Sequence, residues 1–568
     1  MPPVTATQTA LVELRVLEGP NLYFPRAAVK LTLDLTALVE APEEQALRFA
    51  ARIGLRKARP GDAGSGFRQR FALRAVGRLV RQIAAEAGTT RLAVRVRTTS
   101  DVHRIVLAYP WRRRGRAQAL GRAVVEVLDA LPTADMDTVV GAAAARVREA
   151  EPGDGPRTLR PRVPVVAVTG TNGKTTTSRM VAHIGRVQGL HVGWSSTDGI
   201  YVDGELVEKG DYSGPSGAGR VLSRPEVQLA VTETARGGIL LKGIGVTHND
   251  VSVFTNVSAD HLGLHGIDTL DQLAEVKSVV CRITKPDGWV VLNGDDPRVL
   301  ATRTSIKAKP WVFSRDPDSP AIRDVLSDGG RATTVIDGWI SVIRPDEDAE
   351  PVVEVVEVPM TLAGLSRFNV ENALAAASAA LATGLPKAAV VEGLTTFRPD
   401  AEHNPGRMNT YTRDRVSVVV DLAHNEAGLE ALLEIMNGIR PPAGRLLLGL
   451  GAVGDRQDEV VGALGELGAR DADAVAIAHK AGYLRGRTTD ELNAVFREGA
   501  ARVGVHDVPS YATEVAGLEA LVAQAADGDV VGLMCHEDRQ GVYAWLAEHG
   551  FVADTPETLR DKVRAARG

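Results

Sequence analysis

Between Val168 and Arg179 the chain reads VTGTNGKTTTSR, two glycines followed by a lysine and a run of hydroxyls. Those residue types in that order can hold phosphate. Gly170, Thr171, Asn172 and Gly173 form a turn whose N–H groups face inward, Lys174 neutralises terminal phosphate oxygens, and Thr175, followed by Thr176, offers a hydroxyl to a divalent cation. A strict G-x-x-x-x-G-K-[ST] pattern would need glycine at position 168, where valine stands. A turn that merely joins strand to helix is the plain alternative, and the lysine and hydroxyls weigh against it. A cation beside phosphate calls for hard oxygen or imidazole ligands. VQLAVTETARGG offers Glu233 at the end of an apolar run, and VSVFTNVSADHLGLHG offers Asn256, Asp260 and His261 at the end of the next. Glu233 alone would read as a surface carboxylate; two successive run ends next to the phosphate loop read as a metal site.

The elements that position these residues follow a βα rhythm. From Val163, short apolar runs (VPVVAVTG, VQLAVTETA, VSVFTNV, GWVVLNGDD) alternate with helical patterns such as KTTTSRMVAHIGRVQG, the signature of a buried parallel sheet. After HNPGRMN a second series begins, with VSVVVDLAH, RLLLGLGAVGD, AVAIAH and GDVVGLMCH. Ligand groups gather at the C-terminal ends of such strands. Ahead of both, LVELRVLEGPNLYFPRAAVKLTLDLT alternates apolar and polar positions around turn residues, and FALRAVGRLVRQIAAEA and RGRAQALGRAVVEVLDAL carry helical spacing. TRLAVRVRTTS and HRIVLAYP supply further strands, so a small α+β domain is expected over 1–150. EPGDGPRTLRPRVP gives a linker over 151–163, and domains over 164–405 and 406–568 follow.

A chain of 568 residues exceeds one hydrophobic core. Its apolar runs are too short to span a membrane, and its start, MPPVTATQTALVELRV, lacks a secretory pattern, so a cytoplasmic location is expected. Cys281 and Cys535 lack a metal-ligand or disulfide spacing and read as buried hydrophobes. The net charge of −5 hides an asymmetry: residues 1–150 hold 24 Lys and Arg against 14 Asp and Glu. A basic front joined to an acidic body points to a polyanion or acidic polymer at the front, with a solvated arginine-rich surface as the alternative. Nucleic acid is not expected, because the sequence shows neither a recognition motif nor interleaved aromatics.

GTNGKTT, ETARGGI, TNVSADHLGLHG, LNGDDP and DLAHN, in this order and spacing, resemble the Mur ligase superfamily of ATP-dependent amide ligases. GDYSGPSGAGRVLSRPEVQLAVTETARGGILLKGIG and VSADHLGLHGIDTL are similar to the Mur-like half of the cyanophycin synthetases, and LRVLEGPNLYFPRAAVKLTLDL to their opening domain. The ATP-grasp module that separates those parts in that family has only the short linker in its place. The resemblance therefore implies an α/β fold with a P-loop central domain and a Rossmann-like C-terminal domain. It also implies one ligase site, so alternating polymer synthesis by this chain alone is not expected.

The implied reaction uses ATP and Mg²⁺ to convert a carboxylate to an acyl phosphate, which an amine then attacks to give an amide. The amine would be an amino acid and the acceptor a peptide or amino-acid polymer. By resemblance, Thr175 and Glu233 bind one magnesium and His261 a second, while Lys174 neutralises phosphate. Lys277 lies near the family's carbamylated lysine; a solvated helix lysine is the alternative. Asn293 and Asp295, with Asn372, match nucleotide-side positions, a helix cap being the alternative for Asn372. Arg407 matches an arginine that swings onto the phosphates, although Asn409 stands where the family often has glutamate. Asp421 would face the ribose, with His424 near the phosphates and Asn425 beside it. Asp455, Arg456, Arg485 and Arg487, in loops after C-terminal strands, are candidates for binding the incoming amine, with surface charge as an equal explanation. A peptidoglycan- or folate-type ligase and a non-catalytic, nucleotide-gated polymer-binding protein are the competing readings, and self-association is left open.

Overall fold

The computed structural model describes residues 10–55, 57, 59–130, 136–259 and 262–567. Three sheets organise it, and each buries its apolar positions under helices. In the front part, Leu11–Leu17, Ala28–Asp34, Arg104–Pro110 and Arg95–Thr98 form a four-stranded antiparallel sheet in that order. Helix Gly66–Glu86 starts at a Ser65 cap that accepts from the Arg68 N–H, and it lays Leu79, Val80 and Ile83 into one core with Leu31, Leu33 and Leu107. Helices Arg114–Asp129 and Met136–Glu149 complete that layer.

The front part is fastened to the body. Asn21 organises the GPNLYFPR turn: its amide donates to the Gly19 and Arg26 carbonyls and its oxygen accepts from the Tyr23 and Phe24 N–H groups. Leu22, Tyr23 and Phe24 are thereby delivered into a core shared with Ile244, Phe254 and Leu273 of the central part. Backbone bonds from Glu18 N–H to the Lys242 carbonyl and from Ile244 N–H to the Pro20 carbonyl, both 2.7 Å, run alongside, as does the Arg97–Glu275 ion pair. The expected linker is held down as well, with Leu159 bridged to Val246.

The central sheet has eleven strands. Its parallel middle runs Lys309–Phe313, Thr284–Asn293, Asn249–Phe254, Val165–Thr169, Leu229–Glu233, Val192–Ser195. Antiparallel strands that the apolar runs did not single out extend both edges, including the hairpin Gly199–Val202 and Glu205–Lys209 and the strands Trp339–Ile343 and Glu350–Glu354. Strand order matters for chemistry here. Val165–Thr169 lies between Leu229–Glu233 and Asn249–Phe254, so the turn after it emerges flanked by Glu233 and Asn256.

The third sheet has seven strands, with Ala474–Ala478, Leu446–Leu450, Val530–Met534 and Val416–Asp421 parallel and Asn409–Arg413 antiparallel beside the last. Both expected α/β series are therefore present. Cys281 and Cys535 are free and buried. Among the described residues no helix is long and apolar enough to cross a membrane.

Candidate active site

Strand Val165–Thr169 feeds the turn Gly170–Gly173, and helix Lys174–Val187 begins at once. The two glycines are required sterically. A Cβ at Gly170 would lie 1.9 Å from the Thr255 hydroxyl oxygen and one at Gly173 2.2 Å from Asn372 Oδ1, and Gly173 is left-handed with φ +82°. The neighbouring strand end shapes the turn: Thr171 N–H donates to the Asn256 carbonyl (2.9 Å), Asn172 N–H to Asn256 Oδ1 (2.8 Å), and the Thr255 hydroxyl to the Asn172 carbonyl (2.6 Å). Lys174 Nζ folds back onto the Thr171 carbonyl at 2.8 Å, across the space that the turn encircles.

Glu233 stands beside the helix start, 1% exposed, and its Oε2 accepts the Thr175 hydroxyl at 2.9 Å. Burial pushes its pKa up, against the pull of Lys174 and the Thr175 hydrogen bond. Among the described residues its second oxygen is buried without a hydrogen-bond partner. An orphaned carboxylate oxygen next to a hydroxyl is a fitting donor set for a hard divalent cation. Among the described residues no group of three or more His, Cys, Asp or Glu is arranged to hold a metal. His261, expected as a ligand, and Asp260 lie outside the described residues.

Lys277 ends helix Leu270–Lys277, is 4% exposed, and donates from Nζ to the Gly170 carbonyl at 2.6 Å. It is a buried group against the loop, which removes the solvated-lysine alternative. Asn372 is interior to helix Arg367–Ala382, whose cap is Ser366, so the cap alternative falls too; its Oδ1 accepts from the Thr177 hydroxyl at 3.3 Å. Asn293 is differently placed. Its amide donates to the Thr255 carbonyl at 2.8 Å and approaches Glu371, behind the loop, and it lines neither cavity described below. Asp295 accepts from Ser314 in the same network, where burial raises Glu371 to about 7.

The C-terminal sheet closes over the loop. Arg407 lines both of two adjoining cavities. The smaller lies between Gly173, Thr176 and Asn372 on one side and Asp421, Leu422 and His424 on the other. The larger encloses about 1340 Å³ of open space and contains Lys174, Thr175, Glu233, Lys277, His424 and Asp455. Asp421 is held by the Met408 N–H at 2.9 Å; burial raises it to about 6 although the Arg407 charge opposes this. His424 pairs Nδ1 with the Leu422 carbonyl at 3.0 Å, which fixes the Nδ1–H tautomer. Asn425 reaches Asn172 at 3.3 Å.

Asn409 accounts for its own departure from the family pattern. Fully buried, it accepts from the Gly406 N–H and the Tyr543 hydroxyl and donates to the Asn404 carbonyl, so it builds the turn that presents Arg407. Of the amine-side candidates, Asp455 lines the larger cavity, whereas Arg485 is paired with Asp455, and Arg487 with Asp458 at 2.7 Å. Arg487 also donates from Nη1 to the Arg456 backbone carbonyl at 3.4 Å, and Arg456, Arg485 and Arg487 do not line that cavity.

Several residues of the site escaped the sequence reading. Asp211 and Arg236 line the larger cavity; both stand in segments that carried the resemblance, which was the available signal. Asp198 bridges Arg179 (2.9 Å) of the loop helix and Arg539 (2.6 Å) of the C-terminal part. Glu514, 1% exposed, pairs with the buried Lys480 at 3.2 Å and accepts the N–H groups of His536, Glu537 and Asp538, fixing the loop after strand Val530–Met534.

Residues 168–380 match the family model "Mur ligase middle domain", and residues 406–535 match "Mur ligase, glutamate ligase domain". A cyanophycin synthetase of Crocosphaera subtropica is 43% identical over 332 residues, which is 58% of this chain and 38% of that protein. The chain thus spans about two fifths of that relative's length. A UDP-N-acetylmuramoyl-L-alanyl-D-glutamate–2,6-diaminopimelate ligase of Corynebacterium efficiens is 29% identical, covering 76% of this chain and 78% of its own. The solved structure of E. coli FolC in complex with ADP superimposes with a TM-score of 0.51 at 18% identity over 69% of this chain and 90% of that one, a likeness of fold.

Proposed function

Because its middle and C-terminal domains belong to the Mur ligase family, we propose that the protein is an ATP-dependent amide ligase that couples an amine, an amino acid, to a carboxylate on a peptide or amino-acid polymer. The observation that carries this reading is the larger cavity, where the phosphate-type loop, the orphaned oxygen of Glu233 and groups from the C-terminal sheet face one space. Relatives named as a diaminopimelate ligase and as cyanophycin synthetases support an amino acid as one substrate.

A carboxylate resists attack by an amine until one oxygen becomes a leaving group. ATP supplies that group by transferring its γ-phosphoryl to the carboxylate oxygen, and the amine then displaces phosphate as the amide bond forms. The work of the chain is alignment and charge neutralisation. The Gly170–Gly173 amides and Lys174 hold the phosphates, Thr175 and Glu233 would hold one Mg²⁺ and His261 a second, and Lys277 fixes the loop through the Gly170 carbonyl. Asn372 and Asp421 border the nucleoside side, and Arg407 and His424 meet the phosphates when the two parts close and exclude water. Asp455 faces the amine.

The test is to supply ATP, Mg²⁺ and panels of carboxylates and amino acids, then follow ADP and phosphate release together with mass addition. Turnover by the wild type and its loss in Lys174→Ala are expected. ATP binding without turnover for any pair would favour the non-catalytic binding protein instead.

A further inference from the structure

Outside the cleft, the front part has a concavity that encloses about 1790 Å³ of open space, and its rim is crowded with arginine: Arg26, Arg91, Arg112, Arg113, Arg116 and Arg148. They come from four separate stretches of chain. Gly88, left-handed at φ +94°, turns the chain after helix Gly66–Glu86 toward Arg91. Arg112 and Arg113 follow strand Arg104–Pro110, Arg116 stands in the first turn of the next helix, and Arg148 comes from the end of helix Met136–Glu149. Backbone bonds from Arg114 and Gly115 N–H to the Asp154 and Pro152 carbonyls, both 2.9 Å, pin that helix start in place. Leu92, Leu120 and Val147 line the interior.

Nothing among the described residues neutralises this rim. Among the described residues no Asp or Glu lines the concavity, and none of the six arginines engages its guanidinium in an ion pair or hydrogen bond. Other arginines of the same part are paired: Arg97 with Glu275, Arg114 with Glu18, Arg146 with Glu126. Six like charges around one hollow repel one another, and an anionic occupant relieves that repulsion. All six cations are arginine, whose planar fork binds oxyanions through paired N–H groups, whereas lysine presents a point charge.

We propose that this concavity is a second ligand site, for a compact polyanion bearing several phosphate or carboxylate groups, distinct from the nucleotide cleft. The assignment stands on the arginine rim alone and does not depend on the ligase reading. Titration calorimetry of the full chain with tripolyphosphate and, separately, citrate tests it; the stronger of the two identifies phosphate or carboxylate as the recognised group. Arg113→Glu combined with Arg116→Glu should weaken binding at least about tenfold. Arg74→Glu combined with Arg122→Glu, the same change of charge on exposed positions of the front part away from the rim, should leave it nearly unchanged. So should Lys174→Ala, which disables the phosphate loop. Thermal unfolding by circular dichroism checks that each variant is folded. No binding to either probe by the wild type, equal loss in the Arg74/Arg122 variant, or loss in Lys174→Ala with retention in the Arg113/Arg116 variant would each overturn the proposal.

Discussion

Glu233 and Asp421 are both buried carboxylates, and each yields a separate experiment. Glu233→Gln keeps an oxygen for the Thr175 hydroxyl but removes the charge that a cation would meet. The expected result is that Mg²⁺ no longer strengthens ATP binding, measured as the ratio of affinities with and without the metal, while metal-free affinity changes little. Asp421 tests linkage. Its folded value, about 6, lies above the ordinary aspartate value near 4, so between those two limits the folded state binds more protons than the unfolded one. Its contribution to stability is therefore greatest below about 4 and declines as pH rises through about 6. Asp421→Asn should remove that slope from the difference between wild-type and variant unfolding free energies; parallel curves across this window would contradict it. Contiguity explains which residues the sequence revealed. Gly170 to Thr176 act as one local turn, so their spacing states their chemistry. Asn293 carries the right motif but spends its amide on the Thr255 carbonyl, a contact across strands that spacing does not encode.

At the scale of elements, the C-terminal loops are held by buried charge. Glu514 supports the turn before helix Arg539–Glu548 through three backbone N–H groups and Lys480. Burial pushes its pKa up, but Lys480 and those donors overcome this and hold it below the usual 4.5. The stabilisation it gives is therefore present above that value and lost as pH falls through the lowered one. Glu514→Ala leaves Lys480 charged and buried and should cost about 3–5 kcal/mol, read from urea unfolding. The Asp198 bridge joins two bodies instead of bracing one. Arg539 and Arg179 hold Asp198 below its ordinary value despite burial, and Asp198→Asn should cost about 2–4 kcal/mol. In a double-mutant cycle with Arg539→Gln the losses should be less than additive; full additivity would mean that the bridge carries no coupling. Neither device was legible beforehand. The βα runs announced the strands, and the strand ends announced where ligands gather, but Asp198 and Arg539 are 341 positions apart and meet only in the folded chain.

For the whole molecule, the decisive question is whether the basic front part unfolds independently. Its charge and its turn residues made it look like a separate module behind a proline-rich linker. The fold joins it more firmly than that, because Leu22, Tyr23 and Phe24 belong to the core that contains Ile244, Phe254 and Leu273. Separating the parts would expose those side chains, along with the Glu18–Lys242 and Ile244–Pro20 backbone bonds. Fully burying one large apolar side chain contributes roughly 1.5–3 kcal/mol, so three of them supply much of the stability typical of a small domain. Scanning calorimetry of the wild type should therefore show the front and central parts unfolding in one transition. Phe24→Ala, which removes a ring that is 7% exposed, should cost about 3–5 kcal/mol and split off an earlier transition. Adding Arg97→Ala, which removes the Glu275 ion pair at the edge of the same contact, should widen the separation only slightly, because that pair is partly exposed and screened. Two well-separated transitions already present in the wild type would show that the shared core does not couple the parts.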